Sequence, residues 1–337
     1  MLLRKNQNRN LRLQNQKSNL RGVLVGLCSS LLAAFTLAAG CSSDPNETGS
    51  GGDSTTTSSA TGTGGGSGGS GGSGGAGGGG ACEPTIQDGC KPAPMNSNAA
   101  PITIDKIEAT LLDETDAPVA EQLAYACGVD ICPPPATSGS DGKVVLSIGN
   151  KMLKQPAFKY GDGLLYGKFA APLTEASTVF MKAYTPKLPA TGALLAEGQA
   201  ATSNGVTITL ESGTVIEHDV LLYDTCETQA FRAALIPAGK EPAGLNPALG
   251  LEILYAVGPV DTFFCPAAIV TIPNTLGWTA GTAVEFYVHG LSVGQEHAAY
   301  GEWAKISDGA VSADGMSIST SAGGGLPVLS AFGVKKK

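Results

Sequence analysis

The sequence predicts an all-β protein: two tandem β-sandwiches that follow a signal peptide and a disordered Gly/Ser linker. Three observations carry that expectation. From residue 99 onward, short runs rich in Val, Ile, Thr, Tyr and Phe recur between Gly, Pro and Asp-Gly turns. No stretch there sustains a 3.6-residue apolar period over a dozen residues. The run of about 240 residues exceeds the ~100 of one sandwich, so two domains fit better than one.

The first 40 residues read as a cleavable export signal. Arg4, Lys5, Arg9, Arg12, Lys17 and Arg21 form a basic start with no acidic residue, and residues 23–39 form an apolar run broken by Gly26, Ser29, Ser30 and Thr36. Ala38, Ala39 and Gly40 then lead into Cys41, a small-residue cleavage site. The apolar run is short for a spanning helix, which needs about 20 apolar residues. The motif Leu37-Ala38-Ala39-Gly40-Cys41 resembles a lipobox, with Leu one place earlier than usual. The resemblance to bacterial lipoproteins implies cleavage before Cys41, lipidation of that cysteine and attachment to a membrane. Ser42, not Asp, follows it, which by analogy with enterobacterial sorting points to the outer membrane of the cell envelope. Several acyl chains anchor stably where one binds only marginally.

Residues 42–81 are almost entirely Gly, Ser, Thr and Ala and end in GGSGGSGGSGGAGGGGA. They offer nothing to bury and read as a flexible tether with a coil span of roughly 35 Å. The Gly run lacks the Lys-Ser/Thr and the helix of a phosphate loop.

Six of the 21 basic residues lie in the signal. The mature chain therefore carries 15 against 29 acidic residues, a net charge of −14, which argues against nucleic acid as a partner. Lys335, Lys336 and Lys337 read as a solvated end. After the signal and Cys41, the cysteines are Cys82, Cys90, Cys127, Cys132, Cys226 and Cys265. An even set in an exported chain reads as disulfides. Locality favours Cys82–Cys90, Cys127–Cys132 and Cys226–Cys265. A zinc site needs a second close pair beside Cys127 and Cys132, or beside His289 and His297, and none is near; no metal or cofactor is expected.

A Cys-containing loop at 82–98 leads to a first sandwich at 99–188 and a second at 191–334, with the boundary in the 186–193 loop. Lys143 to Ile148 follows the Asp141-Gly142 turn signal. In 283–289, Val284, Phe286 and Val288 alternate with Glu285, Tyr287 and His289, a strand with one apolar and one polar face. Val206, Ile208 and Leu210 alternate with Thr207 and Thr209 in the same way.

Residues 112–119 (LDETDAPV) and 137–144 (TSGSDGKV) resemble the carboxypeptidase regulatory-like, transthyretin-like sandwich. Residues 205–210, Ser212-Gly213-Thr214-Val215, Gly258-Pro259, Thr271-Ile272-Pro273 and the stretch from Trp303 to Gly315 resemble the β-sandwich module shared by ankyrins and netrin receptors. Both resemblances imply spacers and binding surfaces, and hence an unidentified envelope or extracellular protein, or a glycan, as partner.

Candidate chemistry is sparse. Gly290-Leu291-Ser292-Val293-Gly294 matches G-x-S-x-G, but that motif acts on a strand–turn–helix elbow with an acid and then a histidine downstream. Ser292 therefore reads as a turn residue, with a serine hydrolase as the remote alternative. His218, His289 and His297 read as scattered, with His289 solvated. Asp-Gly pairs at 88, 141, 162, 308 and 314 lack the alternating carboxylates of a calcium loop and read as turns. Trp278 and Trp303 read as core anchors, or as a carbohydrate platform if exposed. The expectation is a membrane-tethered, non-enzymatic protein, with a glycan- or small-ligand-binding protein as the alternative.

Overall fold

The computed structural model describes residues 92, 98–219 and 222–337. The expected signal, Cys41, the expected tether at 42–81, Cys82 and Cys90 lie outside the described residues. Among those described, the secondary structure is strand apart from one 3-10 turn at Pro247–Leu249. No helix there is long and apolar enough to cross a membrane.

The N-terminal half contains β1 (Ile102–Leu112), β2 (Leu123–Cys127), β3 (Ala136–Thr137), β4 (Lys143–Leu153), β5 (Ala157–Tyr160), β6 (Phe169–Pro172) and β7 (Ser177–Tyr184). They form a three-stranded sheet ordered β4-β1-β7 and a four-stranded sheet ordered β3-β2-β5-β6. The β1–β7 pair is parallel and β1–β4 antiparallel. One core unites the two sheets, with Ile107 and Leu111 from β1, Leu146 from β4, Phe158 and Tyr160 from β5 and Phe169 from β6. The Asp141-Gly142 turn does not make a hairpin. It passes the chain from β3 in one sheet to β4 in the other, and glycine is required at 142, where φ is 75° and a Cβ would meet the Leu111 carbonyl.

The C-terminal half contains β8 (Ala200–Ser203), β9 (Val206–Thr209), β10 (Val215–Glu217), β11 (Arg232–Leu235), β12 (Ile253–Gly258), β13 (Thr262–Pro273), β14 (Ala283–His289), β15 (Trp303–Val311), β16 (Ser317–Thr320), β17 (Leu326–Leu329) and β18 (Phe332–Lys336). They join in one 11-stranded sheet along the path β11-β12-β18-β14-β15-β16-β13-β9-β8, with β10 and β17 also on β13. The sheet nearly closes on itself. At its ends, Ser203 Oγ accepts from the Ala233 N–H at 3.1 Å, and Asn204 Nδ2 donates to the Ala233 carbonyl at 2.9 Å. Asn204-Gly205, both at positive φ, makes the two-residue turn between β8 and β9. Val206, Ile208, Val270, Ile272, Phe286 and Trp278 belong to the core inside this near-barrel.

The two halves share buried surface. Every residue of β12 is buried. Ile253, Tyr255 and Val257 point into the near-barrel, while Leu254 and Ala256 join the core of the N-terminal half, as do Ala234, Ile236, Trp303 and Ala331. Such an unbroken apolar run is what a strand covered on both faces needs. Glycines allow the close approach: a Cβ on Gly258 would lie 2.1 Å from the Gly163 carbonyl oxygen, and one on Gly167 would lie 2.7 Å from the Ala256 Cβ. Polar links cross the same joint. Tyr160 Oη accepts from the Ala243 N–H at 2.8 Å, and Lys240 pairs with Asp116, which also accepts from Tyr184 Oη.

The lysine end is exposed at Lys336 and Lys337, as expected of a solvated end, but it is part of the sheet and not frayed. Lys335 and Lys336 close β18 beside β14. Lys335 pairs with Glu285, Lys336 with Glu252 and Lys337 with Asp308. Asp308-Gly309 is likewise not a turn: it lies within β15, where Asp308 pairs with Lys305.

Candidate functional site: a histidine cleft at the joint

The three histidines, which read as scattered in the sequence, gather around the turn that enters β13. His218 Nδ1 lies 3.0 Å from Thr262 Oγ1, whose own hydroxyl donates to the Pro259 carbonyl, so His218 is the donor. The His297 ring lies 6.0 Å from that of Phe263. His289 and His297 line one small cleft together with Asp261, Phe263, Ser292 and Glu296.

His289 sits at the end of β14 and is 2 % exposed, not solvated. The alternation of β14 is as expected, but at its His289 end the second face is covered by β6 of the N-terminal half instead of water. Nε2 accepts from the Ala170 N–H of β6 at 2.9 Å. Nδ1 faces the Glu302 carbonyl at 3.2 Å, which only an N–H can satisfy. The imidazole is therefore neutral with its proton on Nδ1. Its ring stacks on Trp303 at 4.9 Å and tilts against Phe169 at 6.1 Å. Burial pushes its pKa down to about 3. Burial also pushes His218 down to about 4, and lowers His297 against the opposing pull of Glu296.

Charged groups that the sequence reading did not single out surround this cleft. Lys159 and Lys168 come from the β5–β6 hairpin. Burial, with Lys159 adding repulsion, brings Lys168 down to about 8. Burial raises Asp261 against the pull of both lysines, and Asp261 is presented from a backbone with φ 59°. Glu296 Oε2, Gln295 Nε2 and Tyr300 Oη are buried without a hydrogen-bond partner. A lysine within each of two apolar runs, 157–160 and 167–172, was the available signal for this group.

The G-x-S-x-G segment does not form a nucleophile elbow. After β14 the chain makes turns up to β15 and no helix. Ser292 Oγ accepts from the Gly294 N–H at 3.1 Å, and both ring nitrogens of His289 are engaged elsewhere. Among the described residues, no hydrogen bond joins Ser292 to His289 or His297. Trp278 and Trp303, each 8 % exposed, are core anchors and not a platform. Asp113, Asp141, Asp162 and Asp314 cap turns by accepting backbone N–H groups; Asp162 Oδ1 takes three. Among the described residues no group of three or more His, Cys, Asp or Glu could hold a metal ion.

Cys127 and Cys132 form a disulfide that closes a tight loop after β2. Cys226 and Cys265 are each disulfide-bonded. Comparison with family models, with curated proteins and with solved structures gives no match.

Proposed function

We propose that this chain is an exported, lipid-anchored protein of the cell envelope, tethered through Cys41 and the 42–81 arm. It presents its β-sheet body, read as tandem carboxypeptidase regulatory-like and ankyrin/netrin-receptor-type sandwiches, for binding or spacing without catalysis. The observation that carries the reading is the order of parts in the first 81 residues: basic start, apolar run, Ala-Ala-Gly-Cys, then a long Gly/Ser arm. The disulfide chemistry of the body supports it, because such bonds persist in oxidising compartments outside the cytosol. A Gly/Ser arm of this length raises the local concentration of a binding surface near its membrane. The expected partner is an envelope or extracellular protein, or a glycan.

Replacement of Cys41 by Ala tests the anchor. The variant is expected in the soluble fraction or as an unprocessed precursor, while the parent chain carries acyl mass on an N-terminal Cys41. Membrane retention of the variant together with an unmodified Cys41 in the parent would refute the reading. Absence of catalysis is tested separately: residues 82–337 should show no esterase or peptidase turnover, and turnover lost on Ser292→Ala would make the protein a hydrolase.

A further inference from the structure

We propose that the joint around His289 is an acid-opened latch: protonating His289 removes the acceptor that holds the Ala170 amide and releases the β5–β6 hairpin from the 289–302 segment. The device follows from where the ring is placed. His289 Nε2 is the acceptor for a buried backbone N–H belonging to the other half of the protein, 119 residues away. An imidazolium has only donors, so the charged ring and the Ala170 N–H cannot share that position. A buried N–H stripped of its partner is costly, and moving β6 away into water relieves both groups.

The surroundings favour opening over accommodation of the charge. From β5, Lys159 repels a proton on His289. From β15 and β6, Trp303 and Phe169 present rings. From the β17–β18 turn, Ser330 Oγ donates to the His289 carbonyl and leaves the ring alone. Glu296, on the 290–302 segment, acts on His297. Asp261 faces Lys159, Lys168, Asp219 and Glu296, and Lys168 faces Asp162 and Asp219 as well. Tyr223 and Tyr300 beside them are held protonated by burial. The Glu302 carbonyl is the group that favours charge on His289, and burial outweighs it.

The test is amide hydrogen exchange on the full chain between pH 7.5 and 4.5, corrected for the intrinsic rate. Protection of the Ala170 amide is expected to fall about tenfold per pH unit below ~6.5 for one proton taken up on opening. The Ile208 amide, in the near-barrel core, exchanges through global unfolding and should stay better protected than Ala170 at every pH. In His289→Gln a neutral side-chain carbonyl replaces the acceptor, and the pH dependence at Ala170 should vanish. PH-independent protection of Ala170 in the parent, or an unchanged profile in the variant, overturns the proposal. If the variant does not fold, the ring-nitrogen resonances of His289 decide. They must report a bare Nε2 at neutral pH and gain a proton in step with Ala170 exchange; opening of Ala170 with a neutral ring overturns the latch.

Discussion

Leu111→Ala tests whether the two halves fold as one body. Leu111 lies on β1 in the N-terminal half and is fully buried. Its core also holds Leu254, Ala256, Ile236 and Trp303 from the C-terminal half. Truncation removes three carbons, at ~0.8 kcal/mol each for lost transfer, and the unfilled cavity adds to that. The total is about 3–4 kcal/mol, within the range of buried Leu→Ala changes. In a Trp303→Phe background, Trp278 is the sole tryptophan, and it belongs to the other core. Its fluorescence therefore reports the half that does not contain the mutation. In a urea titration with m of ~3 kcal/mol/M, the Trp278 midpoint should fall by about 1 M, and far-UV circular dichroism should move with it. A Trp278 transition that stays in place while an earlier one separates from it would show that the halves unfold independently, and that the shared core contributes little.

Three further outcomes are expected. Gly258→Ala forces a Cβ to 2.1 Å from the Gly163 carbonyl, an overpacking cost of about 1–3 kcal/mol; an unchanged thermal midpoint would contradict the close approach. Replacing both Cys127 and Cys132 with Ser opens a loop spanning five positions, worth about 2 kcal/mol on the chain-entropy relation. Denaturant titration measures that loss, and a non-reducing peptide map that also reads the partners of Cys226 and Cys265 checks the bond. For acid stability, the folded pKa values of His289 and His218, about 3 and about 4, lie below the unfolded ~6.5, so the unfolded chain binds more protons as pH falls through 6.5. Stability held at neutral pH is lost on that descent, by about 2 kcal/mol for each histidine at pH 5. Equal urea midpoints at pH 7 and pH 5 would contradict it.

The strands were legible because a period of two is a local property. In 283–289 the alternation of Val284, Phe286 and Val288 with Tyr287 and His289 marks a strand and separates its faces correctly. It does not say what covers the second face. That cover comes from β6, over a hundred residues earlier, and it turns an apparently solvated His289 into a buried one. The lysine end, exposed at Lys336 and Lys337, shows the same limit. Three consecutive lysines look like a frayed end, yet Glu285, Glu252 and Asp308 lie beside them only after β18 inserts between β12 and β14. The run 253–258 carried the clearest hint of the shared core. An unbroken apolar hexapeptide is too short for a buried helix, and its length suits a strand with no wet side.

The cleft was less legible than the strands, and its composition shows why. Ser292 was visible because G-x-S-x-G is a contiguous string, but a string carries no elbow: the motif acts through a strand, a strained turn and a helix, and here only the strand precedes it. The histidines gave the opposite error. With three in 337 residues, at 218, 289 and 297, nothing in their spacing unites them. They meet because β13 enters between the 218 segment and the 289–297 turns, so that Thr262 and Phe263 touch one histidine each. Burial favours the neutral form of each ring, and His289 also makes a hydrogen bond that needs a bare nitrogen. What the sequence could have offered was the pair Lys159 and Lys168, charged residues interrupting runs whose other side chains are nearly all buried. A lysine in such a run needs either water or a carboxylate facing it. The search for that carboxylate leads to Asp261, and from Asp261 to the cleft where the histidines converge.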